Sequence, residues 1–145
     1  MHTVHFPAEP ENGFIAAAMG IMFSVNDANI ELNDADQKII DDFFDSLNWD
    51  DTSSTSPKVA EVPYGNLMMM VNMKDRFVYK GSVTTPPCAT FVYWNVLTTI
   101  YPVKQSVVDK FNKQLARVPG LEKTGNWRLI QEVDEHQPRI IKSKS

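Results

Sequence analysis

Most of the information in this chain lies in ten residues, Tyr79-Lys80-Gly81-Ser82-Val83-Thr84-Thr85-Pro86-Pro87-Cys88, which are followed by Trp94 six positions later. Two threonine hydroxyls stand side by side, with Gly-Ser before them and two prolines after them. Because proline fixes φ and lacks a backbone donor, this order predicts a rigid turn that presents Thr84 and Thr85 as fixed hydrogen-bonding groups. We expect the two hydroxyls to face a cavity, where a rigid hydroxyl can orient a reactive water.

Strands are predicted on both sides of this turn. The segments Arg76 to Tyr79 and Thr90 to Tyr101 flank it, and its prolines place it at a sheet edge because they cannot donate to a ladder. His2 to Phe6 and Phe14 to Val25 are also predicted to be strands. The second of these is apolar on both faces, which is typical of a strand inside a sheet.

Two amphipathic helices are predicted. Asn33 caps the first, which runs to about Leu47, and its apolar residues recur at helical spacing. The second covers about Ser106 to Leu115 and is followed by Pro119-Gly120. The segment Asp50 to Pro63 is rich in Ser, Thr and Asp, and we interpret it as a surface loop.

Composition limits the class of protein. With 145 residues, 43% of them hydrophobic, the chain is predicted to form one globular domain with a hydrophobic core. A net charge of −4 and a pI near 5.3 argue against nucleic acid or an anionic membrane surface as a partner. The longest apolar run, Phe14 to Phe23, is too short to span a bilayer, and we recognise no targeting signal in the chain as given.

The spacing of the histidines limits their use as metal ligands. Residues three apart in a strand point to opposite faces, so His2 and His5 cannot both reach one ion unless their segment is helical. The third histidine, His136, lies between Glu135 and Gln137 and is interpreted as a solvated loop residue. Because catalytic zinc normally takes three protein ligands, a single candidate falls short by two.

The turn and its surroundings resemble the α-carbonic anhydrases. The turn, with Trp94 at a matching offset, is similar to the active-site segment of that family. Three further stretches resemble the family in order and spacing: His2-Thr3-Val4-His5, Phe14 to Phe23, and Gly125-Asn126-Trp127-Arg128 with Gln131. The resemblance implies a mainly β fold of the α+β class, with a central, mostly antiparallel sheet and surface helices, in a single incomplete domain over residues 1–145.

The resemblance also implies an activity, the zinc-dependent reversible hydration of carbon dioxide to bicarbonate, and roles for particular residues. His2 would be a zinc ligand. Thr84 would orient the attacking water and pass its own proton to a carboxylate, and Thr85 would line the bicarbonate position. An apolar wall for the substrate would be formed by Val4, Ala18, Val83 and Trp94. Structural support would come from His5, Tyr79 and Arg128.

The same resemblance implies that part of the domain lies outside this chain. The family carries two more zinc histidines upstream of the strand that His2 to His5 resembles. We therefore expect the chain alone to bind zinc poorly and to turn over little, with a further segment or a second chain completing the site. We also expect the cut sheet to leave Phe14 to Val25 as an unpaired apolar edge. The alternative is a catalytically inactive relative that acts as a binding or structural protein.

Cys88 bears on the cellular location without deciding it. It is the only cysteine, so an internal disulfide is impossible, and the simplest interpretation is a small buried residue in a reducing compartment. A cysteine directly after Thr-Thr-Pro-Pro also resembles extracellular members of the family, in which it pairs with a cysteine near the N-terminus of the domain. Secretion is therefore suspected.

Overall fold

The strands predicted around the turn join one five-stranded sheet. The computed structural model describes residues 1–9, 13–123, 125–132 and 141–143. The strands are β1 (His2–His5), β2 (Ala16–Ser24), β3 (Arg76–Ser82), β4 (Thr90–Pro102) and β5 (Ile141–Ser143). Their order across the sheet is β1-β2-β4-β3-β5.

The sheet is mixed. β1 pairs with β2, β3 with β4, and β3 with β5, all antiparallel. β2 and β4 run in the same direction, because the Ile15 N–H donates to the Phe91 carbonyl at 3.0 Å near the start of both strands. Near their ends, the Val103 N–H donates to the Ser24 carbonyl at 3.1 Å. The predicted fold class is confirmed, with one parallel pair in the middle of the sheet.

The expected unpaired edge at Phe14 to Val25 is wrong. β2 has β1 on one side and β4 on the other, and its register with β1 places His2 opposite Gly20. Met1 extends this pairing, because its ammonium donates to the Ile21 carbonyl at 2.8 Å. β1 is short, but it occupies the backbone groups of the part of β2 that faces it. Among the described strands, the edges are β1 and β5.

The described residues form helices α1 (Asp34–Asp45), α2 (Tyr64–Met70) and α3 (Gln105–Leu115). Asn33 caps α1 as predicted, since its side-chain oxygen accepts a hydrogen bond from the Asp36 N–H at 2.9 Å. The two predicted helices are confirmed as α1 and α3. α2 was not predicted, because it has only seven residues, begins with Tyr-Gly and has no side-chain cap. No helix in the described part of the chain is long and apolar enough to cross a membrane.

Two compact units can be distinguished within the chain. The first comprises Met1–Met22, Asn72–Ile100 and Trp127–Ser145, and the second comprises Phe23–Val71 and Tyr101–Asn126. Every candidate site residue belongs to the first unit, and the three helices belong to the second. That the chain forms a single incomplete domain stays a prediction.

The second unit buries apolar residues from each of its helices. Ile40 and Phe43 of α1, Leu67 of α2 and Val107 of α3 are all buried. The predicted surface loop from Asp50 to Pro63 contains neither helix nor strand. This unit therefore has an apolar core of its own, to which no candidate site residue belongs.

Candidate active site

The candidate site lies on one face of the sheet in the first unit. The His2 ring meets the Trp94 ring edge-on, with centroids 4.8 Å apart and planes at 72°. Because successive residues of a strand point to opposite faces, His2 and Val4 share the Trp94 face. His5 lies on the opposite face, as its spacing from His2 predicts.

Three of the four predicted pocket residues pack together. Ala18 and Trp94 form a buried cluster with Val92, and Val83 packs against this cluster. Val4 lies opposite Ala18 in the register of β1 and β2 but is 52% exposed. It therefore stands at the rim of this apolar cluster.

Trp94 is held by Ser82 and Tyr79 of β3, and it lies close to Gly81 of the same strand. Its indole N–H donates to the Ser82 carbonyl at 3.1 Å. The Tyr79 ring stacks on it, with centroids 6.3 Å apart and planes at 13°, and burial raises the pKa of the Tyr79 hydroxyl. A Cβ added at Gly81 would lie 2.8 Å from Trp94 Cδ1. Glycine is therefore required where β3 passes the indole.

Backbone hydrogen bonds close the predicted turn. The Val83 N–H donates to the Ala89 carbonyl at 2.9 Å, next to a shift in strand register between Gly81 and Ser82. Inside the turn, the Cys88 N–H donates to the carbonyl of Thr85 at 2.8 Å. The turn is thus a closed loop that projects from the end of β3.

The two threonine side chains of this turn are accessible. Thr84 and Thr85 are both exposed. The cavity that the sequence predicts around them is therefore not enclosed by the described residues. Any wall on that side would have to come from other residues.

Arg128 binds the base of the turn. Its guanidinium donates to Ser82 Oγ and, at 3.4 Å, to the Val83 carbonyl. The resemblance assigns Arg128 a supporting role without naming its partner. Sequence spacing could not have found this contact, because the two sites are 46 positions apart.

The described residues do not fit a complete zinc centre. His2 is the candidate ligand on the Trp94 face, and partial burial lowers the pKa of its imidazole, with a further lowering from the adjacent N-terminal ammonium. A neutral imidazole is the form that binds metals. However, no group of three His, Cys, Asp or Glu side chains in the described part of the chain could hold a metal ion. His136 lies outside the described residues.

Two further residues of the Trp94 face were not predicted from the sequence. Val92 and Val96 pack with Trp94 at every second position of β4, and this alternation is visible in the sequence.

His5 lies on the opposite face of the sheet, where it lines a groove of about 440 Å³ with Phe6, Pro7, Phe14, Ala16, Ala17 and Tyr93. The supporting role of His5 stays a prediction.

Comparison with known proteins identifies the family. The family model of the eukaryotic-type carbonic anhydrases matches residues 2–142, nearly the whole chain. The chain therefore belongs to the carbonic anhydrase family, as its resemblance implies. A carbonic anhydrase of Dunaliella salina is 28% identical to it over 127 residues, which are 81% of this chain and 20% of that protein.

Solved carbonic anhydrases share the fold. The α-carbonic anhydrase of Thermovibrio ammonificans, solved with the inhibitor sulfanilamide, matches 94% of this chain with a TM-score of 0.61 and 21% identity. The fungal α-carbonic anhydrase of Aspergillus oryzae matches 78% of it with a TM-score of 0.55 and 25% identity. The matched regions are 50% and 44% of those solved chains, so this chain spans about half their length.

Proposed function

We propose that this chain forms the C-terminal part of a carbonic anhydrase domain and takes part in the reversible hydration of carbon dioxide to bicarbonate. One observation supports this most directly. His2 lies against Trp94, and the Trp94 indole binds the Ser82 carbonyl two residues before Thr84. A candidate zinc ligand and a candidate water-orienting hydroxyl are thus connected through one buried tryptophan, although they are far apart in sequence.

In this proposal each candidate residue has a role that suits its position. Thr84 accepts a hydrogen bond from the attacking water and fixes its orientation, and its exposure leaves the hydroxyl accessible. Thr85, next to it, contacts the bicarbonate. Carbon dioxide has no charge, so it suits the apolar wall of Ala18, Val83 and Trp94, with Val4 at the rim. A small residue at Ala18 makes this wall roomier than a valine would.

Zinc is the cofactor that the family implies. When bound, zinc supplies a water that loses its proton near neutral pH. His2 is the one ligand that we assign within the described residues, whereas a catalytic zinc normally has three protein ligands. We therefore place the other ligands outside the described residues, in the same polypeptide or in a partner chain.

The 145-residue chain on its own is expected to bind zinc weakly and to hydrate carbon dioxide no faster than buffer does. One imidazole cannot supply the affinity of a three-ligand centre. Zinc affinity can be measured by competition with a chromogenic chelator, and hydration by stopped-flow with a pH indicator. An enzyme-like, zinc-dependent rate from the isolated chain would contradict this prediction.

His5→Ala is the matched control for His2→Ala. Both histidines are exposed on β1, but they lie on opposite faces of the sheet. We expect His2→Ala to remove the residual zinc binding and His5→Ala to leave it unchanged. Equal losses in the two variants would mean that zinc binds adventitiously, and the role of His2 would be wrong.

The second candidate function is a catalytically inactive binding or structural relative. The observation that favours it is that no group of three metal-binding side chains occurs in the described part of the chain. Native mass spectrometry of the protein from its own source separates the two. A zinc-carrying species larger than 16.4 kDa supports the enzyme, and a zinc-free species at 16.4 kDa supports the alternative.

A further inference from the structure

The stretch from Trp127 to Ile130 reverses the usual pattern of burial. Trp127, Leu129 and Ile130 are 69%, 70% and 98% exposed, whereas Arg128 is partly buried. A segment normally buries its apolar side chains and leaves its charged ones in water. Here the arginine turns inward, so the polar contacts of Arg128 explain how this stretch is attached.

Arg128 donates hydrogen bonds both to the turn and to a residue close to it in sequence. Nη1 donates to Ser82 Oγ and, over a longer 3.4 Å, to the Val83 carbonyl. Nη2 donates to Gln131 Oε1 at 2.8 Å, and the Gln131 amide donates to the Leu129 carbonyl at 2.8 Å. None of the ion pairs formed among the described residues includes Arg128. The guanidinium therefore links residues 127–131, the C-terminal segment, to the two residues that precede Thr84.

These two residues are held at other atoms as well. The Ser82 carbonyl accepts from the Trp94 indole at 3.1 Å, and the Val83 N–H closes the turn. Arg128 adds the Ser82 hydroxyl and the Val83 carbonyl. This carbonyl belongs to the peptide plane that leads directly into Thr84. A hydrogen bond to this carbonyl restricts rotation of the peptide plane, and that rotation would change the direction of the Thr84 Cα–Cβ bond.

We propose that Arg128 is a positioning residue for Thr84. By binding the Ser82 hydroxyl and the Val83 carbonyl, it fixes the peptide plane from which the Thr84 side chain projects. The inference rests on the proposed function only for what the Thr84 hydroxyl does once it is positioned. The Arg128 hydrogen bonds found among the described residues go to Ser82, Val83 and Gln131, so Arg128 would act through the turn.

Arg128→Met in the 145-residue chain tests this, because methionine keeps an apolar stem and removes every donor. The first readout is amide hydrogen exchange at Val83 and Cys88, whose N–H groups are hydrogen-bonded in the turn. Loss of one net hydrogen bond should make their exchange about tenfold faster and leave the strand amides unchanged. The second readout is the backbone φ angle of Thr84 from its HN–Hα scalar coupling, which should change from the value of one conformation to an average.

Two further variants separate positioning from general loosening. Arg117→Met is the matched control, because the Arg117 guanidinium also donates to backbone carbonyls, those of Asp51 and Thr52 in the second unit. It should leave the exchange of the turn amides and the φ angle of Thr84 unchanged. Arg128→Lys should restore part of the protection, since an ammonium can still donate to one acceptor.

The proposal is overturned if Arg128→Met folds, as judged by circular dichroism, and leaves the exchange of the turn amides and the φ angle of Thr84 unchanged. It is also overturned if exchange rises equally throughout the sheet. If this variant does not fold, Ser82→Ala replaces it, with faster exchange confined to the turn supporting the proposal and unchanged exchange overturning it. Neither readout needs zinc or turnover. If faster amide exchange is confined to the turn and the completed domain lacks carbonic anhydrase activity, this inference is therefore supported and only the proposed function is wrong.

Discussion

Gly81→Ala is expected to lower the free energy of unfolding by about 1–3 kcal/mol, the usual cost of forcing extra volume into a packed site. The added Cβ would lie 2.8 Å from Trp94 Cδ1 and 3.0 Å from Tyr79 Cε2. Neither ring can easily withdraw, because Trp94 is only 6% exposed, is hydrogen-bonded to Ser82 and is stacked on Tyr79. Urea unfolding followed by tryptophan fluorescence measures the change.

Gly20→Ala is the matched control, a second strand glycine in the same sheet. Its added Cβ would lie 3.5 Å from Val96 Cγ2, which is an ordinary contact. Because alanine also restricts the unfolded chain more than glycine does, this variant should be within about 0.5 kcal/mol of the original or slightly more stable. If the two variants have the same stability, the indole can move aside, and the requirement for glycine at residue 81 is wrong.

The elements that the sequence predicts are those with a strong local pattern. β2 is apolar on both faces, and α1 has a capping asparagine and an apolar stripe, so both are recognisable without their partners. α2 and β5 are too short to show a period. The pairing of β2 was misjudged because β1 is short and largely exposed, and nothing in its composition shows that it covers its neighbour.

The site divides in the same way between local and distant contacts. The turn around Thr84 consists of consecutive residues, so the sequence alone predicts it. The separation of His2 from His5 onto opposite faces follows from the period of a strand alone. The contact of His2 with Trp94, by contrast, depends on the strand order β1-β2-β4, and that of Arg128 with Ser82 on how the C-terminal segment returns to the sheet. Such contacts are tertiary, and no local pattern in the sequence indicates them.

In a completed domain, with the remaining zinc ligands supplied by a preceding segment or a partner chain, Thr84→Ala should lower the kcat for carbon dioxide hydration by about 100-fold. The hydroxyl is proposed to orient the attacking water, and a methyl group cannot accept its hydrogen bond. Stability should change by less than about 0.5 kcal/mol, because Thr84 is exposed. Stopped-flow hydration and urea unfolding of the same preparation measure the two quantities.

Thr85→Ala and Thr84→Ser distinguish orientation from a general disturbance of the turn. Thr85 is another exposed threonine of the same turn, and it is proposed to contact bicarbonate. Its loss should therefore raise the KM for bicarbonate, measured in the dehydration direction, more than it lowers kcat. Thr84→Ser keeps the hydroxyl and should retain most of the activity. If Thr84→Ser is as damaging as Thr84→Ala, or if turnover and stability fall together, the hydroxyl does not orient the water and Thr84 acts only through the shape of the turn.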